Sequence, residues 1–451
     1  MRKKIESLLI SACTESFNKN SIQPRDMSLL FSESRVSPDD DACQVNGTCR
    51  GCGNSRLVSI LSLGDMPLAN AMTHSRTTTE WDRKYPLSLA FCPDCTLLQI
   101  RETVSPRILF DEYLYYSSYS DTMLSHAARL AEGLIARCHL TGQSKVLEIG
   151  SNDGYLLQYF MRAGIPSLGV EPARNVAAVS SERGIPTLCA FFGKVTASQL
   201  AARGECYDLI LALNVFAHVP DLNSFLEGVR ILLRDTGTAV FEFPYVRDMI
   251  DGREFDTIYH EHLSYFLVTA AVNLFARHNL EVVDIRRMPI HGGSLRLFIK
   301  HRGNEKRTKV VHDLLEKEAR DGLLDPEYYL DFGRVVEGLR RETLNLLQSL
   351  KHQGRSVIGY GAAAKGTTLL NYYGIGIDIL DYIADRNPHK QGRYMPGNHI
   401  PIVAPSRIQE TRPDYVLILP WNLRDEIITQ LSFIREWGGR FIIPVPSLQV
   451  I

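Results

Sequence analysis

Four groups of residues in this chain have types and spacings that could do chemistry. The first is a pair of CxxC knuckles, Cys49-Arg-Gly-Cys52 and Cys92-Pro-Asp-Cys95, set about 40 residues apart. Four thiolates so spaced can surround one tetrahedral zinc ion, and a site filled by four sulfurs keeps no open position, so the expected role is structural. Redox chemistry would ask instead for a CxxC at a helix start with a depressed thiol pKa. The gap is wider than a short zinc ribbon allows, so a small sheet must sit between the knuckles. Cys43 lies nearby but outside the spacing; Cys13, Cys138, Cys189 and Cys206 read as ordinary residues.

The second group is residues 146–157, VLEIGSNDGYLL, where an apolar strand runs into Gly150 and Gly154 and a helix begins. Glycines suit a sharp turn where a ligand approaches the backbone. The pattern suits S-adenosyl-L-methionine (AdoMet), whose amino-acid end would be held by backbone near Gly150, across Asn152 and Asp153, with Glu148 beside its ammonium. Glu171, about 20 residues beyond at the end of a second strand (SLGVEP), is placed to accept both ribose hydroxyls. A third strand runs out at Asn214 and His218 toward the same crevice, and Phe191 and Phe192 are available for the adenine face. The GxGxxG spacing of an NAD site is missing here.

The third group is residues 257–266, TIYHEHLSYF, the densest set of proton-transfer groups in the chain. Methylation at carbon needs a base to remove a C–H proton and donors to hold the enolate that results. A histidine titrates near neutral pH and suits the first task; a tyrosine or second histidine suits the other. The histidines of HEH lack the i, i+4 spacing of a zinc protease helix. His291, in IHGGSLR, is a further candidate near the crevice, and Tyr113, Tyr115 and Tyr116 (FDEYLYYSSYSD) precede the first core strand, where they could fold over it as a lid.

A late loop, GYGAAAKG at 359–366, follows a strand and opens a helix. It is not a Walker A loop, because Lys365 is followed by Gly366 and not by Ser or Thr in a Gly-Lys-Ser/Thr ending. Backbone N–H groups, a helix N-terminus and the Lys365 charge make an anion cradle that fits a diphosphate, with Gly361 and Gly366 in the turn. Asp385 resembles an acidic residue at the end of a second strand, and Lys390 lies close.

The elements that must position these groups read as follows. Residues 1–45 are polar and acidic and read as a mostly disordered leader, 46–105 as a zinc-binding domain, 106–303 as an AdoMet domain and 304–451 as a C-terminal α/β domain. Strands are expected at 145–149, 167–170, 209–213, 239–243, 281–286 and 295–300, alternating with helices, which implies a parallel sheet with crossover helices. Residues 305–350 carry leucine at helical spacing and look like connecting helices. A second α/β alternation follows, with strands at 356–360, 379–384, 415–419 and 440–444 and a helix at 362–372. The fold class is thus α/β: a Rossmann-like class I methyltransferase core flanked by a small zinc module and a second Rossmann-like unit.

Acidic and basic residues nearly cancel, 51 against 50, which argues against a nucleic-acid or anionic-membrane binder. No apolar run is long enough to span a bilayer, and the short apolar patch near the start is too broken for a signal peptide. Nine cysteines without a secretion signal fit a reducing, cytoplasmic setting rather than a disulfide framework. Monomer and homodimer are both compatible with these features.

Taken in order, the knuckles, LYYSSYSD, EIGSNDGYLL, GVEP, Asn214 with His218, YHEHLSYF, HGGSLR and GYGAAAKGTTLLNYYGI resemble the sugar C-methyltransferases that act on dTDP-linked 4-keto deoxysugars in antibiotic and surface-glycan pathways. The resemblance covers nearly the whole chain from Cys49 onward. It implies AdoMet as methyl donor, a structural Zn2+, and a C-terminal domain that helps hold the nucleotide-sugar. It implies that His262 is the base beside the ketone, with carbon 3 as acceptor, and that Glu261 orients the sugar or the base. Tyr259, His218 and a tyrosine among Tyr113, Tyr115 and Tyr116 would contact the sugar and steady the enolate. His260, where some members carry Asp, is given no role. The rival readings are a nucleotide-sugar oxidoreductase or epimerase using NAD at the late loop, an AdoMet methyltransferase of another small acceptor, a nucleic-acid methyltransferase and a non-catalytic zinc scaffold.

Overall fold

The computed structural model describes residues 42–74, 83–110, 117–119, 121–288 and 292–451. Tyr113, Tyr115, Tyr116, His291 and residues 1–41 of the leader lie outside them. Strand β1 (Cys43–Val45), which the sequence reading placed in the leader, pairs with β5 (Glu102–Val104). Three residues among Asp and Asn carry no periodicity that a sequence reading could use.

The knuckles sit at the turns of a small antiparallel sheet. Strands β2 (Val58–Pro67), β3 (Lys84–Phe91) and β4 (Leu98–Ile100) form it with β11 (Ser264–Tyr265), in the order β11-β4-β3-β2. The first knuckle precedes β2 and the second joins β3 to β4. The catalytic-type segment around Tyr259 therefore ends as the edge strand of the zinc module's own sheet.

The central sheet has the order β12-β13-β10-β9-β6-β7-β8. Its strands are β6 (Val146–Ile149), β7 (Ser167–Val170), β8 (Thr187–Leu188), β9 (Tyr207–Leu213), β10 (Leu233–Pro244), β12 (Leu280–Met288) and β13 (Ser294–His301). Strands β6 to β10 are parallel, and β13 runs antiparallel to both β10 and β12. β6 is buried at every residue, as a central parallel strand covered on both faces must be. The strand order reverses between β6 and β9, which opens a crevice at their carboxyl ends.

The third sheet, β16-β15-β14-β17-β18-β19, repeats that logic. Its members are β14 (Val357–Tyr360), β15 (Ile383–Ala384), β16 (Ile402–Val403), β17 (Tyr415–Ile418), β18 (Arg440–Ile443) and β19 (Gln449–Val450), the last antiparallel. The strand expected over 379–384 keeps only its last two residues, because Gly374 ends the preceding helix in a left-handed conformation and a turn follows. A second crevice opens between β14 and β17.

The helices at 309–320 and 327–352 do more than connect. Helix Glu327–His352 buries Tyr329, Phe332, Val336, Leu339, Thr343, Leu347 and Leu350, a stripe at helical spacing, and Tyr329 stacks on Phe91 of the zinc module at 4.7 Å. Glu318 of helix Lys309–Arg320 accepts hydrogen bonds from the Val268 and Thr269 N–H groups and from the Tyr245 hydroxyl. It thereby caps helix Val268–Arg277, whose own N-cap Leu267 has no acceptor side chain. One apolar core runs continuously from Cys49 through the central sheet to Val445. Among the described residues no helix is long and apolar enough to cross a membrane.

Candidate active site

The four cysteine sulfurs converge. Cys49 Sγ lies 3.4 Å from Cys95 Sγ and Cys52 Sγ 3.6 Å from Cys92 Sγ, and all four fall within 4.8 Å of one another. That is the separation of four ligands around one tetrahedral zinc, with no side left for substrate.

The glycine loop leaves β6 through a strained turn. Gly150 and Gly154 have φ of +66° and +77°, and a Cβ on Gly150 would come within 2.4 Å of Val215. Asn152 and Asn214 also sit at positive φ, +50° and +55°, so both crevice walls are built from left-handed residues. Glu171 Oε2 accepts from the Asn152 N–H and Oε1 from the Ala173 N–H, each at 2.9 Å, so this carboxylate braces the loop as well as facing the crevice. Asn152 Oδ1 accepts from the Ser117 N–H at 2.9 Å, and Asp153 accepts from the Ser118 hydroxyl and pairs with Arg183. The turn just after the tyrosine segment is thus docked on the cofactor loop. Phe192 packs edge-on against Phe225 at 5.1 Å, whereas Phe191 is exposed.

Among the described residues, Glu148 Oε2 and Asn214 Oδ1 are buried here without a hydrogen-bond partner, as are Ser151 Oγ and Asp153 Oδ1 of the loop itself. Burial, with the charges of Glu171 and Asp153 adding to it, pushes the Glu148 carboxyl well above the usual range. Unpaired buried acceptors are costly unless a ligand supplies donors. A ligand with an ammonium and hydroxyls, as AdoMet has, would satisfy them.

Beyond Asn214 the turn Phe216–His218 places His218 with its ring 4.8 Å from that of His262. Burial holds the His218 pKa down to about 4, only partly offset by the facing backbone of Glu261 and Asn214, so this imidazole is neutral at pH 7. Phe110, at the end of the chain that leads into the tyrosine segment, packs on His218 at 6.2 Å. His262 Nδ1 lies 2.8 Å from the Thr257 carbonyl, and Nε2 lies 3.0 Å from the Tyr259 hydroxyl. A carbonyl only accepts, so Nδ1 carries the proton and Nε2 is the basic nitrogen.

Glu261 is 4% exposed, and its Oε1 accepts from the Asn70 amide at 2.6 Å. Burial raises its pKa to about 7 and the Asn70 hydrogen bond lowers it. His260 points away: its Nε2 meets the Pro86 carbonyl at 3.1 Å and its ring packs on Tyr85 in the zinc module. The HEH triplet therefore splits, with His262 toward the crevice and His260 into the N-terminal sheet.

At the second crevice Asp385 Oδ2 accepts from the Ala362 N–H, and Lys390 Nζ donates to the Ala362 carbonyl, both at 2.7 Å. Burial lowers the Lys390 pKa, with Asp385 opposing. Gly361 donates to the Ala384 carbonyl, and Gly366 packs on Leu419. Lys365 Nζ reaches Asn422 at 3.0 Å and sits 4.2 Å over the Trp421 ring. Trp421 in turn donates to Asp256, which adjoins Thr257. Sequence reasoning missed Asn70 and Trp421. The run PLANAM around Asn70 holds no motif signal, and Trp421, one of three tryptophans, stands just past a strand end.

A cofactor loop at the strand-order reversal, a buried carboxylate after the second strand and orphaned acceptors beside them define an AdoMet-dependent methyltransferase of the Rossmann-like class. Family models match a zinc binding domain at residues 49–110, a methyltransferase domain at 123–285 and a C-methyltransferase C-terminal domain at 289–446. The chain is 34% identical over 404 residues to the C-methyltransferase NovU of Streptomyces niveus, across 89% of this chain and 96% of that protein. It belongs to that C-methyltransferase family, with AdoMet as methyl donor and zinc in the four-cysteine cluster. Over 97 residues it is also 32% identical to the ubiquinone biosynthesis O-methyltransferase of Rhodopseudomonas palustris CGA009, 21% of this chain and 38% of that one. Among solved structures, magnesium protoporphyrin IX methyltransferase from Synechocystis PCC 6803 with bound SAM aligns over 43% of this chain and 87% of its own, at TM-score 0.31 and 14% identity.

Proposed function

We propose that the acceptor is a nucleotide-linked keto deoxysugar, of the dTDP-4-keto class, methylated at the carbon beside the ketone, carbon 3. The observation that carries this reading is the His262 ring, half-buried at the crevice with its basic Nε2 turned to Tyr259 and a neutral His218 ring alongside. Oxygen or nitrogen acceptors bring their own lone pair; a carbon acceptor has to be deprotonated first, and this cluster is fitted to that task.

In the proposed reaction His262 Nε2 takes the proton from the carbon next to the ketone, the C–H pair becomes the new C=C bond, and the carbonyl π pair moves onto the oxygen as an enolate. Neutral His218 donates a hydrogen bond to that oxygen, and the Tyr259 hydroxyl, which donates to Nε2 before substrate enters, turns to the same oxygen as Nε2 takes the proton. Glu261 orients the sugar or the imidazole. Glu148, the loop from Gly150 to Gly154, Glu171 and Asn214 would hold AdoMet, whose sulfonium would offer a methyl group to the enolate carbon and leave as the neutral thioether. The zinc module serves as scaffold. The loop from Gly361 to Gly366 with Lys365 and Lys390 takes the diphosphate, and Asp385, at the end of the second strand and bonded to the Ala362 N–H, braces the nucleotide side of that loop.

The test is incubation with AdoMet and a panel of dTDP-4-keto sugars, read by mass spectrometry, with solvent deuterium exchange measured without AdoMet. The expected result is a methyl gain and deuterium uptake at one carbon, both lost in His262→Ala while AdoMet still binds. Turnover unchanged by His262→Ala would reject the base assignment. Absence of any methylated sugar would reject the acceptor class.

A further inference from the structure

Residues 68–73 follow β2 and run between the central and C-terminal sheets. The Ala69 carbonyl accepts from the Thr367 hydroxyl at 2.8 Å, one turn into the helix that opens from the Gly361 loop. Thr73 exchanges backbone hydrogen bonds with Tyr394, at 3.2 and 2.9 Å. Between these two anchors stands Asn70, whose amide reaches Glu261 across 191 residues of chain. Among the described residues it is the one side chain that hydrogen-bonds this carboxylate.

We infer that Asn70 is a positioning residue for Glu261, and that through it the zinc-bearing module holds the carboxylate beside His262 in its working orientation. The inference rests on the proposed base chemistry. An ionised carboxylate fixed at one oxygen by an amide donor keeps its other oxygen at a set angle, and a hydrogen bond to a charged acceptor is roughly twice as strong as a neutral one. Two influences act on the Glu261 carboxyl, burial and the Asn70 hydrogen bond, and no charged neighbour is among them. The donor therefore also sets how readily the buried carboxyl ionises. Because the backbone on either side of Asn70 is pinned, Ala69 to Thr367 and Thr73 to Tyr394, a shift of the C-terminal unit moves the amide with it.

The experiment uses the full-length zinc protein with Asn70→Ala and the isosteric Asn70→Asp. Zinc content and melting temperature are checked first. Infrared difference titration, with Glu261→Gln to assign the band, reads the protonation midpoint of Glu261 without any substrate. The midpoint is expected to rise by about one unit in Asn70→Ala. In Asn70→Asp two carboxyls at hydrogen-bond distance cannot both ionise, so they share a proton and titrate in two separated steps. Deuterium exchange on the sugar panel is expected to fall ~10- to 100-fold in Asn70→Ala, with AdoMet affinity unchanged. It should partly recover in Asn70→Asp as pH falls. A wild-type midpoint and a wild-type pH profile in both variants would overturn the inference. If the wild-type enzyme turns over no sugar on the panel, the acceptor reading falls, and the infrared midpoint alone decides the role of Asn70.

Discussion

The Trp421 indole N–H donates to Asp256 Oδ2 at 2.8 Å, joining residues 165 positions apart at the seam of the two α/β sheets. Asp256 is fully buried, and its neighbour Thr257 offers the carbonyl that receives the His262 ring proton. The floor under Lys365 and the perch of the proposed base are thus one peptide apart. Replacing Trp421 by Phe keeps a ring beneath Lys365 but removes the donor together with part of the buried ring. The expected loss is about 1–3 kcal/mol in urea unfolding, because a buried carboxylate oxygen is left without its partner. A midpoint equal to that of the wild type would show the hydrogen bond to be idle.

Zinc should be inseparable from the fold. A serine hydroxyl cannot replace the Cys92 thiolate, and structural zinc contributes folding energy outright. Cys92→Ser is expected to yield metal-poor protein with a depressed melting temperature, seen by elemental analysis and calorimetry. Full metal content at normal stability would refute a four-cysteine site.

Glu148 offers a trade between binding and stability. Its carboxyl is fully buried with one unpaired oxygen, a cost that a bound ammonium offsets. Glu148→Gln should weaken AdoMet ~10- to 100-fold by isothermal titration, about 1.4–2.8 kcal/mol. The same change should leave the ligand-free protein as stable as the wild type, or more so. Undiminished AdoMet affinity would remove Glu148 from the cofactor site.

Acidity should stabilise the seam. Burial raises Glu254 from 4.5 to about 8 and Asp256 from 3.8 to about 6, with Lys365 opposing both. The folded chain then binds more protons than the unfolded one between these values. Stability is greatest near the unfolded pKa values and declines as pH climbs through about 6 and then about 8. Melting temperatures of the ligand-free protein should fall across that window, and Glu254→Gln should flatten its upper part. Lys365→Met should steepen the decline; a pH-independent melt in the wild type would contradict the ordering.

Much of this architecture could be read from local pattern, and the remainder could not, for a physical reason. Strands β6, β7, β9 and β10 carry apolar runs near the expected places, as parallel strands covered on both faces do, and the antiparallel β12 and β13 also fall close to where they are expected. The Thr187–Leu188 strand is too short to leave such a trace. The knuckles announced themselves by spacing, and their four sulfurs converge. What pattern cannot convey is which distant faces meet. HEH looks like one cluster in sequence, yet His260 faces Pro86 while His262 faces Tyr259, because the chain turns there, the His262 N–H bonding the Tyr259 carbonyl, instead of running extended, where i and i+2 would share a face. Asn70 and Trp421 gain meaning only through partners far along the chain.

The pairing of Ser264–Tyr265 with Gln99–Leu98 bears on the order in which a nascent chain can finish folding. Both knuckles emerge from the ribosome early, and zinc can gather β2, β3 and β4 at once. The sheet they form still lacks an edge until the whole parallel core as far as β10 has been synthesised. Until then the Leu98 edge is exposed to any passing strand, and β11 closes it only on arrival. The last step in completing the metal module is therefore also the step that brings Tyr259, Glu261 and His262 into place, so that a chain stalled before that docking would hold zinc without a working site.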